Sequence, residues 1–228
     1  MLTREILQDN IRRLFDKVSE AASLANKCLE DISIVAAIKT QPIEIIKSLK
    51  ESGINRVGEN RVQEMISRYD RGLDLEWHFI GQLQTNKVKY IIDKVSLFHS
   101  LDRKSLGETL NKEAEKHNIK VNALIEINAG GELSKGGVDI GEVIEFVKEL
   151  SDYPNISMKG LMSIMPIESD DKLEYYFKRI HDKYYELERI NIKPEILSLG
   201  MSGDYELAIR CGSNMIRPGR VLFGERSY

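Results

Sequence analysis

The spacing of apolar residues predicts a helix at the start of the chain and a buried strand soon after it. Over residues 2–25, apolar side chains recur every three or four positions, as on one face of a helix. Residues 33–38 form an apolar run without alternation, which is typical of a parallel strand buried on both faces. The run ends at Lys39, and Pro42 then begins a second helical stretch, because proline is favoured in a first turn.

This order of strand and helix repeats along the chain. We predict strands at 33–38, 56–58, 77–81, 97–101, 122–128, 158–163, 196–202 and 214–217. Helical stretches are predicted near 43–51, 60–70, 84–93, 103–117, 139–151, 169–190 and 203–211. Asp102 is expected to cap one of these helices, and Asp139 with Glu142 has the form of a capping box before the next.

Eight strands alternating with helices indicate the α/β class and a single (β/α)₈ TIM barrel preceded by the N-terminal helix. A barrel of this kind typically takes about 250 residues, so we interpret residues 1–228 as one domain. No linker rich in Pro, Gly or Ser divides the sequence. An open doubly wound sheet is the alternative architecture.

Composition and charge narrow the classes of partner. With 42% hydrophobic and 30% charged residues, the sequence is that of a globular protein and not of a disordered chain. Lys and Arg number 33 against 36 Asp and Glu, a net charge of −3, so we expect no nucleic-acid partner. We also expect no membrane partner, since no run of about 18 apolar residues occurs. Two distant cysteines and no signal peptide favour the cytoplasm.

Lys39 is the first residue with candidate chemistry. Barrel sites are built at the carboxyl ends of the strands, and Lys39 directly follows an apolar strand. An amine held partly against apolar surroundings loses its preference for the charged form, which suits a lysine that forms a Schiff base with a carbonyl. The alternative is a lysine at a strand end that reaches into water.

Small residues cluster at the ends of the seventh and eighth predicted strands, in residues 200–204 and 212–220. TIM barrels commonly bind phosphate there, where backbone N–H groups can approach the anion. Ser202 is expected to cap the helix after strand seven, and Gly219 with Arg220 to begin a short final helix. The alternative is a pair of tight turns that use the freedom of glycine.

Other candidates are weaker. His78 lies inside a predicted strand and is interpreted as a hydrogen-bonded core histidine. The four histidines show no zinc-ligand spacing, so we expect no metal site. Residues 128–137 are interpreted as a mobile loop over the barrel mouth.

Five stretches of the sequence match one known family in order and spacing. They are Ala37-Ile38-Lys39-Thr40-Gln41-Pro42, Gly58-Glu59-Asn60-Arg61-Val62-Gln63-Glu64, Trp77-His78-Phe79-Ile80-Gly81-Gln82-Leu83-Gln84-Thr85-Asn86-Lys87, Gly200-Met201-Ser202 and Phe223-Gly224-Glu225-Arg226. They resemble the pyridoxal phosphate homeostasis proteins, single-domain relatives of the N-terminal barrel of alanine racemases. The resemblance extends over nearly the whole chain and implies a barrel that binds pyridoxal 5′-phosphate.

The resemblance also implies a role for individual residues. The implied cofactor-binding residues are Lys39, Asn60, Ser202, Gly203, Arg217, Gly219 and Arg220. Lys39 would form the Schiff base, Asn60 would lie beside the ring, and Arg217 would be the partner of the pyridine nitrogen. The other four would form the phosphate cup, with Gly219 and Arg220 contributing backbone N–H groups.

Three positions depart from the family pattern. Pro218 stands where an aliphatic residue is usual and cannot donate an N–H. Asn214 stands where Thr is common, so a side-chain contact from that position is in question. Val57 replaces a common Phe, which we expect to affect packing only.

The implied function is intracellular homeostasis of pyridoxal phosphate, as a carrier or regulator without catalysis. Arg217 stays charged and cannot protonate a pyridine nitrogen, which leaves the ring a weaker electron sink. A racemase also needs a second proton-transfer group. In alanine racemases that group is a tyrosine on an additional domain, which we expect this protein to lack because the sequence ends at Tyr228.

We further expect a monomer, with pyridoxal phosphate enzymes lacking their cofactor as recipients. One alternative is a small pyridoxal-phosphate-dependent amino-acid racemase that uses Lys39 with His78 or a tyrosine. Another is a barrel enzyme that acts on a phosphorylated metabolite without a cofactor.

Overall fold

Eight parallel strands close into a barrel in the computed structural model, which describes residues 2–131 and 136–225. With one short additional strand, the described residues form nine: β1 (Ser33–Ala37), β2 (Arg56–Glu59), β3 (Glu76–Phe79), β4 (Leu97–Leu101), β5 (Val121–Asn128), β6 (Val138–Asp139), β7 (Ile156–Ser163), β8 (Ile196–Ser198) and β9 (Met215–Ile216). They pair in the order β4-β3-β2-β1-β9-β8-β7-β5, and a β4–β5 pairing completes the ring. The two-residue strand β6 lies outside the ring, beside the end of β5. The predicted (β/α)₈ barrel is confirmed.

Helices connect the strands on the outside. They are α1 (Arg4–Leu24), α2 (Ile43–Glu51), α3 (Val62–Arg68), α4 (Lys104–Lys116), α5 (Val143–Leu150), α6 (Asp170–Glu186), α7 (Tyr205–Arg210) and α8 (Arg220–Phe223). The predicted N-terminal helix is α1, whose first turn is capped by Thr3 Oγ1 accepting from Ile6 N–H at 3.3 Å. Asn10 of α1 donates to the carbonyl of Leu222 at 2.9 Å, so the first helix is joined to the last.

The barrel has two hydrophobic clusters separated by the strands. The larger one lies between the strands and the helices. The smaller one fills part of the barrel interior with Val35, Ala37, Ile80, Leu97, Leu124, Met162 and Met215. Side chains alternate between the two faces of a strand, so polar residues two positions along from these also face inward. The buried His78, His99, Ser198, Glu126 and Arg217 share the interior in this way.

Several element boundaries differ from the predictions. The strand predicted over 196–202 ends at Ser198, because Gly200 turns the chain with φ +94°. Residues 84–93 form a 3₁₀ segment, Thr85–Tyr90, instead of an α-helix. These differences shorten elements without changing their order.

The predicted helix caps are wrong. The N-cap of α4 is Arg103, while Asp102 forms an ion pair with that residue at 2.5 Å. Asp139 belongs to β6, and its Oδ1 accepts from Gly141 N–H at 2.8 Å; the N-cap of α5 is Glu142. In both places the chain turns one to three residues later than the capping pattern suggested, so the carboxylates find other partners.

No helix within residues 2–131 and 136–225 is long and apolar enough to cross a membrane. The same residues contain no group of three or more His, Cys, Asp or Glu side chains arranged to hold a metal ion. The loop predicted over 128–137 lies partly outside the described residues, as does Arg226 of the last family motif.

Candidate functional site

A cavity of about 950 Å³ opens at the carboxyl ends of the barrel strands. This volume lies within the range of about 300–1,000 Å³ that is usual for small-molecule sites. All seven residues predicted to bind the cofactor line it: Lys39, Asn60, Ser202, Gly203, Arg217, Gly219 and Arg220. They come from the loops after β1, β2, β8 and β9, so barrel closure is what brings them together.

Lys39 lies just after β1, two residues beyond Ala37 of the interior cluster. Because alternate residues of a strand face the same side, Lys39 continues the inward-facing positions of β1. Its side chain is half-buried at the cavity wall. The next residue, Thr40, has φ +51°, a left-handed conformation that is uncommon for a β-branched residue. Its N–H donates to Glu64 Oε2 at 3.2 Å, which holds the turn that carries Lys39.

Arg68 of α3 links this turn to the loop after β2. Its guanidinium forms an ion pair with the fully buried Glu59 and a second one with Glu64 at 3.2 Å. Glu59 Oε2 in turn accepts from Asn60 N–H at 3.3 Å. Burial raises the pKa of Glu59 above its ordinary value, although Arg68 opposes that shift. One arginine therefore holds both the Lys39 turn and the Asn60 turn.

Asn60 lines the cavity and carries a buried amide oxygen that is unsatisfied. Its Oδ1 is buried and has no hydrogen-bond partner among the residues that the structure describes. Its backbone is held against Gly81, where a Cβ would lie only 2.3 Å from the Asn60 carbonyl oxygen. Buried polar atoms normally have partners, so an orphaned amide in a cavity wall fits a ligand with a polar atom of its own.

Ser202 and the start of α8 form a small polar cluster. Ser202 Oγ accepts from the N–H groups of Gly219 at 3.0 Å and Val221 at 3.3 Å. The prediction that Ser202 caps the helix after the seventh strand of the barrel is therefore wrong, since it caps α8; the N-cap of α7 is Asp204. A hydroxyl that accepts twice still has its proton to donate. The Gly219 N–H is already paired within the protein.

Positive charge lies beside this hydroxyl. Arg220 is exposed at the cavity rim, and its Nη2 is 3.9 Å from the position a Cβ would take on Gly203. A guanidinium forms strong charge-assisted hydrogen bonds with phosphate oxygens, and the serine hydroxyl on the same wall has one more proton to donate. The absence of a side chain on Gly203 leaves the approach to Arg220 open.

Arg217 lines the same cavity from the barrel interior and is only 2% exposed. Its guanidinium donates to the Ser198 carbonyl at 2.6 Å, to Ser198 Oγ at 2.5 Å and to the Ser163 carbonyl at 2.7 Å. Burial lowers its pKa to about 10, and the charges of Asp204 and Glu126 limit that shift. Arg217 is therefore a fixed cation at neutral pH.

Sequence reasoning missed Glu126 in β5. Its side chain is buried, and its Oε2 has no hydrogen-bond partner within the described part of the chain. Burial raises its pKa to about 7, and the charge of Asp102 adds to the shift. The sequence feature that could have identified it is a single carboxylate inside the apolar run of β5, two residues after Leu124, which faces the barrel interior.

Two of the departures from the family pattern are explained by the geometry. Asn214 lies at the other end of the barrel, where its Oδ1 accepts from Leu197 N–H and its Nδ2 donates to the Glu195 carbonyl, both at 2.8 Å. Its side chain clamps β8 and does not line the cavity. Pro218 accepts from Ala37 N–H through its carbonyl at 2.8 Å, a contact that needs no N–H of its own.

Comparison with known proteins agrees with this geometry. The family model described as "Alanine racemase, N-terminal domain" matches residues 10–227. The pyridoxal phosphate homeostasis protein of Aquifex aeolicus (strain VF5) is 42% identical over 224 residues, covering 96% of this chain and 98% of that protein. The protein of the same name from Haemophilus influenzae is 32% identical over 229 residues, covering 97% of each.

One solved structure that this chain resembles contains bound pyridoxal phosphate. PipY of Synechococcus elongatus PCC7942, in the structure with pyridoxal phosphate bound, superposes with a TM-score of 0.79 at 29% identity, covering 91% of this chain and 100% of that one. The chain therefore belongs to the alanine racemase N-terminal domain family and, within it, to the pyridoxal phosphate homeostasis proteins.

Proposed function

We propose that this protein binds pyridoxal 5′-phosphate in the cavity through a Schiff base on Lys39 and acts in cytoplasmic pyridoxal phosphate homeostasis as a carrier or regulator. The observation that carries the proposal is that three kinds of functional group lie around one cavity. Lys39 supplies an amine, Ser202 with Arg220 supplies donors for an anion, and Arg217 supplies a buried cation. The relatives named above support the choice of cofactor.

Each of these residues has a defined task in the proposal. Bound pyridoxal phosphate supplies an aldehyde that condenses with a primary amine, with loss of water. Lys39 provides that amine from a turn that Glu64 holds in place. Ser202 donates its remaining proton to the phosphate, and Arg220 adds charge there. The amide of Asn60 provides a polar partner beside the ring.

Arg217 favours storage over catalysis. With a pKa of about 10, it keeps its proton at neutral pH. As the partner of a ring nitrogen it would donate a hydrogen bond without transferring a proton, so the ring could take up less negative charge. This limits proton abstraction from a bound amino acid, whereas holding and releasing the cofactor requires none.

Titration of the purified, cofactor-stripped protein with pyridoxal phosphate tests the proposal. We expect a new visible absorption band that saturates at one equivalent of cofactor. In a second assay, with a phosphatase present, the loaded protein should reactivate a cofactor-free pyridoxal phosphate enzyme faster than the same total amount of free cofactor does. A protein that stays colourless and retains no cofactor on gel filtration would favour an enzyme of phosphorylated metabolites instead. The same column reports whether the proposed monomer is correct.

Replacement of Ser202 by alanine should weaken retention of pyridoxal phosphate by about 10–100-fold, as expected for a lost hydrogen bond to a charged group. Equilibrium dialysis measures the effect. Pyridoxal, which lacks the phosphate, is the control ligand, and its affinity should be the same for both proteins. Equal losses for the two ligands would mean that Ser202 acts only through the start of α8.

Added L-amino acids should not be racemised at ordinary enzymatic rates of about 1–10³ s⁻¹. Lys39 can transfer a proton on one face of a bound amino acid. Racemisation needs a second proton-transfer group on the opposite face, and the described residues that line the cavity include no tyrosine or histidine. Chiral chromatography after incubation with single L-amino acids measures the outcome. Rapid appearance of the D-enantiomer that depends on Lys39 would establish the racemase alternative.

A further inference from the structure

A column of polar side chains lies inside the barrel beneath Arg217. It consists of Ser198 on β8, His99 on β4 and His78 on β3, which we call the interior column. None of the three is more than 2% exposed. The predicted hydrogen-bonded core histidine, His78, is thus confirmed, but its partner is a second histidine that no sequence motif suggested.

The contacts of the interior column are continuous. Arg217 Nη1 is 2.5 Å from Ser198 Oγ, and Ser198 Oγ is 3.4 Å from His99 Nδ1. His99 Nε2 is 3.0 Å from His78 Nδ1. At the far end, His78 Nε2 faces Glu76 Oε2 at 3.7 Å, in a second cavity of about 460 Å³ at the opposite barrel opening. The column therefore runs from one end of the barrel to the other.

Only one arrangement of protons satisfies these contacts when both imidazoles are neutral. Burial lowers the pKa of His78, and lowers that of His99 well below its ordinary value, so each ring carries one proton. The half-exposed Glu76 carboxylate can only accept, so the proton of His78 is on Nε2, facing it. His78 Nδ1 is then an acceptor and accepts from His99 Nε2. His99 Nδ1 in turn accepts from the Ser198 hydroxyl, whose oxygen accepts from Arg217.

We propose that Ser198 and His99 are positioning residues for Arg217, and that the interior column fixes the direction of the guanidinium toward the cavity. The physical reason is that Arg217 donates to three uncharged oxygen atoms. The direction of these oxygen atoms therefore sets the direction of the guanidinium, whereas the charges of Asp204 and Glu126 help to keep it protonated. His99 accepts the Ser198 proton, so the hydroxyl does not turn that proton toward the guanidinium. The link from Arg217 to the cofactor ring rests on the function proposed above; the column itself does not.

Nitrogen NMR of the cofactor-free protein tests the column directly. In protein with labelled imidazoles, both His78 and His99 should be neutral at pH 7 and protonated on Nε2. Replacement of Ser198 by alanine should shift the Nδ1 signal of His99, because that nitrogen loses its donor, while His117 on the surface serves as the unaffected reference. A proton on Nδ1 of either buried ring, or a doubly protonated ring, would overturn the assignment.

Two variants of His99 then separate positioning from packing. His99→Asn keeps an acceptor near the Nδ1 position and can still accept from Ser198, whereas His99→Gln keeps a donor near the Nε2 position and loses that acceptor. Both remove the ring. We expect His99→Gln to weaken pyridoxal phosphate binding by about tenfold, the usual effect of one hydrogen bond, and to shift the visible absorption maximum. His99→Asn should stay within about twofold of the wild type.

The outcomes distinguish the two proposals. Equal effects of the two His99 variants, or no effect of either, would overturn the positioning role, because a packing defect does not depend on which hydrogen bond is kept. A wild-type protein that binds no pyridoxal phosphate would overturn the proposed function instead. In that case the NMR result still decides whether the interior column exists as described.

Discussion

Replacement of Lys39 by alanine will abolish covalent attachment of pyridoxal phosphate. Borohydride reduces the C=N bond of a Schiff base to a secondary amine, which fixes the cofactor to the lysine that holds it. In the wild type, peptide mapping should find the label on Lys39, since it is the one lysine among the described residues of the cavity wall. In the variant, mass spectrometry of the reduced protein should find none.

Lys87 provides the matched control for this experiment. It belongs to a different family motif and lies on the 3₁₀ segment Thr85–Tyr90, away from the cavity lining. Lys87→Ala should be labelled as fully as the wild type. A label on Lys87 or Lys135, with Lys39 unmodified, would contradict the assignment; Lys135 lies outside the described residues.

Replacement of Arg68 by methionine should lower the free energy of unfolding by about 3–5 kcal/mol, the usual cost of breaking a buried ion pair by removing one partner. Glu59 is fully buried, and the variant leaves its charge without the cation that compensates it. Chemical denaturation measures the loss. Because Glu64 also loses its ion pair with Arg68, the turn that carries Lys39 should become less ordered and cofactor binding should weaken.

The pH dependence of this loss has a definite sign. Burial already raises the pKa of Glu59 above 4.5, and removal of Arg68 takes away a charge that opposes the shift. A carboxyl group whose pKa is higher in the folded state destabilises the protein as the pH rises and costs nothing once protonated. The deficit of Arg68→Met should therefore shrink toward acidic pH.

The double variant Arg68→Met/Glu59→Gln is the control for buried charge. Glutamine has nearly the shape of glutamate and no charge, so the double variant should recover part of the lost stability. A single variant Arg68→Met within about 1 kcal/mol of the wild type would contradict the prediction, since that is the range of a surface ion pair.

The order of the elements follows from the sequence alone. Apolar runs without alternation are typical of strands covered on both faces, and their repetition between helical stretches identified the barrel. The residue after each run lies at the carboxyl end of a strand, which is where Lys39, Asn60 and Arg217 were found in the cavity wall. The family resemblance implied Ser202, Gly203, Gly219 and Arg220 for the same cavity.

The boundaries and caps could not be predicted in the same way. The strand predicted over 196–202 contains Gly200, whose positive φ ends β8 early, and nothing in the apolar pattern distinguishes that glycine from one inside a strand. Ser202 has the side chain of a helix cap, but it caps α8 by accepting from Gly219, which lies 17 residues later in the chain. The local sequence shows that the Ser202 hydroxyl can accept from the N–H groups at the start of a helix. Only the fold determines which helix lies within hydrogen-bond distance.

Only the closed barrel decided the chemistry of its interior. Alternation along a strand separates two faces, but it does not say which face becomes the enclosed one, and this is settled when β4 pairs with β5. His99 and Ser198 are 99 residues apart and meet because their strands face each other across the interior. Buried polar groups must find partners there, since water cannot supply them. For the same reason Arg217, Ser198 and both histidines form one connected column that no stretch of sequence contains.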